Sequence, residues 1–358
     1  MKEKKIESIS IAKAIAIMLM VLDHTFFSEL GDNIISMFHM PLFFFFAGYC
    51  FKESNLNDFK SFAKKRFNGL YVPYVKWSII FLLLHNLFFN WNLYNSIYGY
   101  KGEPSFKYEW LDFATHALNI MVRMVGHEQL LGGFWFLRSL LIASLGGFLV
   151  IKFCQNKLQR CFWVVCFTFI LAVIASYFNK HIPFIGIESK ELIATLIFYA
   201  GYLYKRNEFS VSLFFCISAA AIIVIGSFCW EMSFLGVMYW KIPLWTISSI
   251  MATIAIFKLC KILEKKTFVS KSILIYIGNN TLPILALHFT CFKIVSLIII
   301  YLYALPIDRL AEFPVIMEYS TKGWWIAYLI IGVFSPLGFN YIISMLKKSE
   351  LKYFIAHK

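Results

Sequence analysis

ISIAKAIAIMLMVLDHTFF, residues 9–27, decides how the rest of the chain is read. It is apolar for long enough to cross about 30 Å of hydrocarbon as a helix. It nevertheless holds Lys13, Asp23 and His24. The basic MKEKKIESIS before it resembles the leading region of a secretion signal, but no small-x-small cleavage site follows, so the stretch reads as a retained first helix. Ionisable groups at membrane depth are expensive, which makes each a functional candidate. Lys13 and His24 are eleven residues apart; eleven steps of 100° return to within about 20° of the same helix face, about 16 Å further along the axis. A cation near the cytoplasmic entrance can hold a phosphate-bearing carrier, and a histidine further along can take a proton from a hydroxyl or thiol. The plainer alternative is that Lys13 snorkels to the interface and His24 bonds a neighbouring helix.

Composition extends this reading to the whole chain. Of 358 residues, 60% are hydrophobic and 15% charged, and mean hydropathy is +0.69. A soluble domain carries roughly 25% charged residues, so a soluble class is excluded. About ten apolar segments recur, near 9–27, 34–51, 70–90, 130–153, 161–178, 191–204, 211–229, 242–257, 281–303 and 323–346. The expectation is an all-α, polytopic transmembrane bundle of about ten spans in a single domain, lodged in the cell membrane. The net charge of +14 does not indicate nucleic acid, because the basic residues fall in short clusters between apolar runs. With the N-terminus inside, Lys and Arg favour the cytoplasmic connections by about three to one, which places both termini in the cytoplasm. Eight cysteines are scattered singly and offer neither a disulfide framework nor a zinc site; no metal is expected.

Two connections look structured. NDFKSFAKKRFNGLYVPY, residues 57–74, sets phenylalanines at helical spacing beside Lys60, Lys64, Lys65 and Arg66, as an amphipathic cytoplasmic helix over 52–69 does. The outer loop 91–129 is the longest, and its residues 108–125 can form a helix lying on the membrane.

Other spans repeat the theme of the first. FHMPLFFFFAGY, residues 38–49, holds His39 near its outer end, and Pro41 is expected to kink it. HEQLLGGFWFLRSLL, residues 127–141, buries Arg138, which should face an anion or carboxylate. Beside it, Trp135 is an aromatic wall or a member of the interfacial belt, and Glu128 can orient a histidine. IGNNTLPILALHF, residues 277–289, starts a helix at Asn-Asn-Thr and buries His288, with Lys293 five residues on. Buried histidines and charges of this kind also suit a proton-coupled secondary transporter or exporter.

These residues resemble one family. Lys13, ten residues, then His24 is similar to the first-span signature of the integral-membrane acyltransferase 3 family. FHMPLFFFFAGY resembles its second-span block, KKRFNGLYVPY its basic segment, WFLRSL its Trp-Phe-Leu block and NNTLPILALH its late histidine span. The last of these resembles the fucose 4-O-acetylase-like branch. The resemblance implies a ten-helix bundle that moves acyl groups from cytoplasmic acyl-CoA to glycans on the far side, with His24 as essential base and Lys13 serving the donor. The chain departs from the pattern with Asp23 where glycine is common, and with Arg66 standing without a second arginine.

The combined expectation is an O-acetyltransferase. Acetyl-CoA docks from the cytoplasm on Lys13, Lys65 and Arg66. His24 deprotonates a hydroxyl of an extracytoplasmic or lipid-linked sugar, or the acyl group rests on the protein. Asp23 and His39 assist the base, Arg138 or a freed backbone amide meets the oxyanion, and Trp135, Glu128 and His288 bind the acceptor.

Overall fold

The computed structural model describes residues 6–99, 105–155, 157–178, 186–207, 209–229, 238–267 and 270–356, with side chains to 346. The tail lysines at 2, 4 and 5, the four beyond 346, and residues 100–104 of the outer loop lie outside these descriptions. The chain is a helical bundle, with no β-strand among the described residues.

Seven stretches are long and apolar enough to cross a membrane: Glu29–Tyr49, Phe59–Asn90, Gln129–Cys154, Leu158–Tyr177, Tyr239–Lys265, Thr281–Leu302 and Met317–Leu346. The remaining three expected spans are helices as well. They are α1 (Glu7–Asp23), α9 (Ser189–Asn207) and α10 (Leu213–Cys229).

The first departure falls where it matters most. Helix α1 ends at Asp23, so His24 caps the helix instead of sitting within a span that runs to 27. The chain turns sharply there. Phe26 is held at a left-handed φ of 52°, a conformation that bulky residues rarely adopt. Ser28 then caps α2 (Glu29–Ser36) by accepting from the Gly31 amide.

The second span is likewise broken, into α2 and α3 (His39–Tyr49), at Phe38 with φ −140° and ψ −18°. Pro41 was the expected kink, yet it lies in the first turn of α3, where a missing N–H leaves no bond unmade.

The amphipathic segment forms as α4 (Phe59–Arg66). Phe62 is buried, stacked on Phe148 with centroids 5.4 Å apart. It does not stand apart from the next span. A π-helical turn, Phe67–Tyr71, carries it into α5 (Val72–Asn90).

The outer helix also forms, as α6 (Trp110–Arg123). It runs back along α5. Asn86 and Tyr108 exchange two hydrogen bonds at one end, and Tyr71 Oη donates to the Met121 carbonyl at the other, 2.6 Å away.

Helices α7 (Trp135–Cys154), α8 (Leu158–Tyr177) and α11 (Ile242–Lys265) complete the middle of the chain. Then α12 (Lys271–Asn279) and α13 (Thr281–Leu302) follow one another across a break at Asn280, where the Asn-Asn-Thr pattern starts a helix as expected. A short turn, α14 (Met317–Tyr319), precedes the long α15 (Trp325–Ala356).

Glycines fix the two closest crossings. A Cβ on Gly48 of α3 would lie 1.8 Å from the Phe198 carbonyl oxygen of α9, and one on Gly201 of α9 would lie 2.0 Å from that of Phe45. The two backbones therefore touch reciprocally, the small-residue packing that holds helices together where no hydrophobic drive separates them from lipid. Gly278 of α12 meets the Ser10 carbonyl of α1 in the same way, at 1.8 Å. This contact fixes α1, and with it Lys13 and His24, against the α12–α13 pair.

Candidate functional site

The turn at the end of α1 is tied from three sides. Thr25 Oγ1 donates to the Leu22 carbonyl at 2.7 Å, Ser320 Oγ donates to the Thr25 carbonyl, and Asp23 accepts from Ser36 Oγ at 2.9 Å. Asp23 thus ties the turn to the end of α2. The His24 ring packs against α13, its centroid 5.3 Å from that of His288 and 4.8 Å from that of Phe289. His288 is fully buried, with Nδ1 2.9 Å from the Ile284 carbonyl. His39 is buried too, its Nδ1 2.8 Å from the Ile35 carbonyl. A 3-10 turn, Gln129–Phe134, covers the pair, and a Cβ on Gly133 would lie 3.8 Å from His288 Cε1.

On the opposite side of this cluster, a cavity of about 270 Å³ lies between α1, α3, α7, α13 and the π-helical turn. Lys13, Ile17, Met20, Arg66, Phe136 and Leu285 are among its lining residues. It shares Lys13, Cys50 and Thr281 with a second, more polar space of about 500 Å³, to which Lys52, Lys205 and Asn279 also contribute. The two form one path. It begins among cations and ends at Met20 and Leu285, four residues before His24 and three before His288. The shared stripe predicted for Lys13 and His24 is therefore the wall along which this path runs.

Other expected site residues are placed elsewhere. Lys65 is exposed and lines neither space, whereas Arg66 lines the inner one. Trp135 is half-buried beside Phe136, a wall residue of the cavity. Arg138 has the carboxylate partner its depth demands, Glu191, with Nη1 3.1 Å from Oε1. Ser139 Oγ donates to the same oxygen at 2.8 Å, and Arg138 Nη2 donates to the Gly186 carbonyl at 2.5 Å. Glu128 does orient a histidine, but that histidine is His85, whose Nδ1 lies 2.7 Å from its carboxylate. Tyr108 stacks on His85 with centroids 3.4 Å apart, so the pair fastens the outer loop. Lys293 Nζ donates to the Glu312 carbonyl at 2.5 Å.

Reading single residues missed Glu191 and His85, because nothing local marks which distant group completes a buried pair. It also missed Cys50, Lys52 and Lys205, which look like ordinary span-end residues until the fold gathers them.

His127 gives this region a pH dependence. Burial pushes its pKa down from 6.5 to about 4, with Lys190 adding to the effect and a Gly132 backbone contact opposing it. Tyr74 Oη lies 3.2 Å from its Nδ1. The folded protein keeps this ring neutral, while the unfolded chain protonates it below about 6.5. Stability is therefore complete above that value and falls as pH falls. Going from pH 7 to pH 5 is expected to remove about 2 kcal/mol through this one ring. Thermal midpoints in detergent at the two pH values check this, with His127→Asn predicted to lose that share of the acid sensitivity.

A helical membrane bundle with a cation-mouthed, apolar path leading toward buried histidines fits the class of membrane-embedded group-transfer enzymes. The profile of the acyltransferase 3 family, described as an acyltransferase domain, matches residues 6–345. The chain belongs to that family and is a membrane acyltransferase. No curated protein and no solved structure gives a significant match.

Proposed function

We propose that the protein takes an acetyl group from cytoplasmic acetyl-CoA and transfers it to a hydroxyl of an extracytoplasmic or lipid-linked glycan, acting in the cell membrane with both termini inside. The observation that carries this is the path itself. Its mouth offers Lys13, Lys52 and Lys205, which suits the phosphates of a nucleotide carrier. Its inner arm is walled by Ile17, Met20, Phe136 and Leu285, which suits an uncharged thioester-bearing arm.

His24, one turn beyond the end of the path, is the base that takes the hydroxyl proton. His39 stands close enough to act on it electrostatically, and His288 lies against its ring. Asp23, bonded to Ser36, holds the turn that presents His24. Arg138 is committed to Glu191, which leaves the developing oxyanion to a backbone amide. Trp135 and Glu128 shape the acceptor side, Glu128 through His85 and the loop it fastens. A transporter using the same histidines as a proton relay is not favoured, since family membership supports acyl transfer.

The test is donor binding. Lys13→Glu replaces a phosphate-holding cation by a repelling anion. It is expected to raise the KM for acetyl-CoA about 10- to 100-fold, the loss of one charge-assisted contact, with kcat changed far less. CoA thiol release by protein in nanodiscs measures both. Folded wild-type protein that neither binds nor consumes acetyl-CoA would sink the donor assignment.

A further inference from the structure

His288 is held in one tautomer by the backbone. Its Nδ1 lies 2.9 Å from the Ile284 carbonyl oxygen and 3.1 Å from that of Leu285. A carbonyl can only accept, so Nδ1 carries the hydrogen and Nε2 carries the lone pair. That Nε2 is buried and has no hydrogen-bond partner. His24 Nδ1, on the neighbouring ring, is also buried without one. The ring centroids are 5.3 Å apart, at 32° between planes. A ring nitrogen sits about 1.2 Å from its centroid, so two nitrogens facing each other across this spacing stand about 3 Å apart, hydrogen-bond range.

The ionisable groups packed around this pair have other commitments. Glu128 is at His85, Lys293 at the Glu312 carbonyl, Arg138 at Glu191, Asp23 at Ser36 and His39 at the Ile35 carbonyl. Of the described rings packed on His288, those of His24, Phe289 and Phe292, His24 is the one that carries nitrogens.

Building on the acyl-transfer reading above, we propose that His288 is a second proton carrier of the reaction, accepting the N–H of His24 as His24 takes the hydroxyl proton. A neutral imidazole has one N–H and one lone pair, so His24 can do both at once. The acceptor O–H bond breaks and its proton goes to His24. The proton already on His24 passes to His288 Nε2, while the hydroxyl oxygen forms a C–O bond with the acyl carbon. The C–S bond then breaks with its electron pair on the CoA sulfur. The proton returns from His288 to His24, His24 protonates the thiolate, and both rings end neutral. Protonated His288 is stabilised in place, because two carbonyl oxygens already face its Nδ1–H. The carboxylate next to His24, that of Asp23, is bonded to Ser36.

His288→Gln separates proton carriage from packing, since an amide oxygen near the Nε2 position can accept a hydrogen bond but cannot relay a proton. In nanodiscs, with acetyl-CoA as donor and water as acceptor, kcat for thiol release should fall about 100-fold. The KM for acetyl-CoA should stay within about twofold of wild type, and the melting midpoint should not shift. The dependence of rate on solvent deuterium fraction should change from two transferred protons to one. A variant that keeps kcat within threefold, or loses donor affinity in parallel with kcat, overturns the proposal. A second readout needs no donor. Nitrogen-15 spectra of imidazole-labelled protein should show His288 protonated at Nδ1, with its Nε2 signal moved by His24→Ala. A hydrogen found on His288 Nε2 in the resting protein overturns the relay even if acetyl-CoA proves the wrong donor. Conversely, wild type that releases no thiol but shows the expected spectra counts against the donor alone.

Discussion

His24→Ala is expected to reduce acyl transfer by about 10³-fold or more, with the protein still folded and still binding its donor. General acid–base catalysis by one placed side chain contributes roughly 10²–10⁴. Here the same residue also begins the proposed relay, so the loss should lie toward the upper part of that range. Donor affinity should survive because the cations at the mouth sit about 16 Å away along α1. Folding should survive because the turn after α1 is held by Thr25, Ser320 and Asp23, none of which bonds the imidazole. The measurement is CoA thiol release by wild type and variant, beside equilibrium binding of a non-hydrolysable acyl-CoA. A variant that keeps a tenth or more of wild-type kcat removes His24 from the role of base.

The largest effect on stability is expected from Glu191→Ala. Glu191 is wholly inaccessible to solvent, and its carboxylate receives both Arg138 and Ser139. Deleting it leaves the guanidinium buried without its carboxylate, a loss of about 3–5 kcal/mol for pairs of this kind. Replacing both partners by apolar residues of similar size should recover much of that loss, because no lone charge is then left behind. Guanidinium-free thermal unfolding in detergent, or the yield of monodisperse protein, reads the difference. If the double variant Arg138→Met/Glu191→Leu is no more stable than Glu191→Ala, the pair does more than neutralise one charge.

Some of this molecule can be read from the sequence because the membrane makes certain residues conspicuous. Lys13, His24, His39, Arg138 and His288 stand out as ionisable groups in apolar runs, and all five prove to be at helix faces or ends that meet other helices. What a charge pairs with is another matter. Arg138 and Glu191 are 53 residues apart, and His85 and Glu128 are 43 apart. Helical periodicity carries no information across such gaps, so Glu128 was legible as a partner for some histidine without revealing which.

Breaks in helices were harder still. Pro41 looked like a kink, yet the chain breaks at Phe38, because the geometry of a first turn absorbs a proline without loss. The turn at His24 depends on Ser36 and Ser320 reaching it from elsewhere in the fold. The outer helix was legible from the unusual length of the loop that holds it, but its course along α5 follows from Asn86, Tyr71 and Tyr108, single contacts that no pattern marks.

The path from the lysine-lined mouth stops at Met20 and Leu285. Electrically, that stop is an insulator. A continuous water-filled hole would let protons and ions run down the potential that the membrane maintains, and carrying a charge across it takes about 2.3 kcal/mol per 100 mV. An acyl group bears no charge. On the donor and acceptor proposed above, handing it past that stop while the anionic carrier stays on the side it came from would let the modification cross the membrane without electrical work and without a leak.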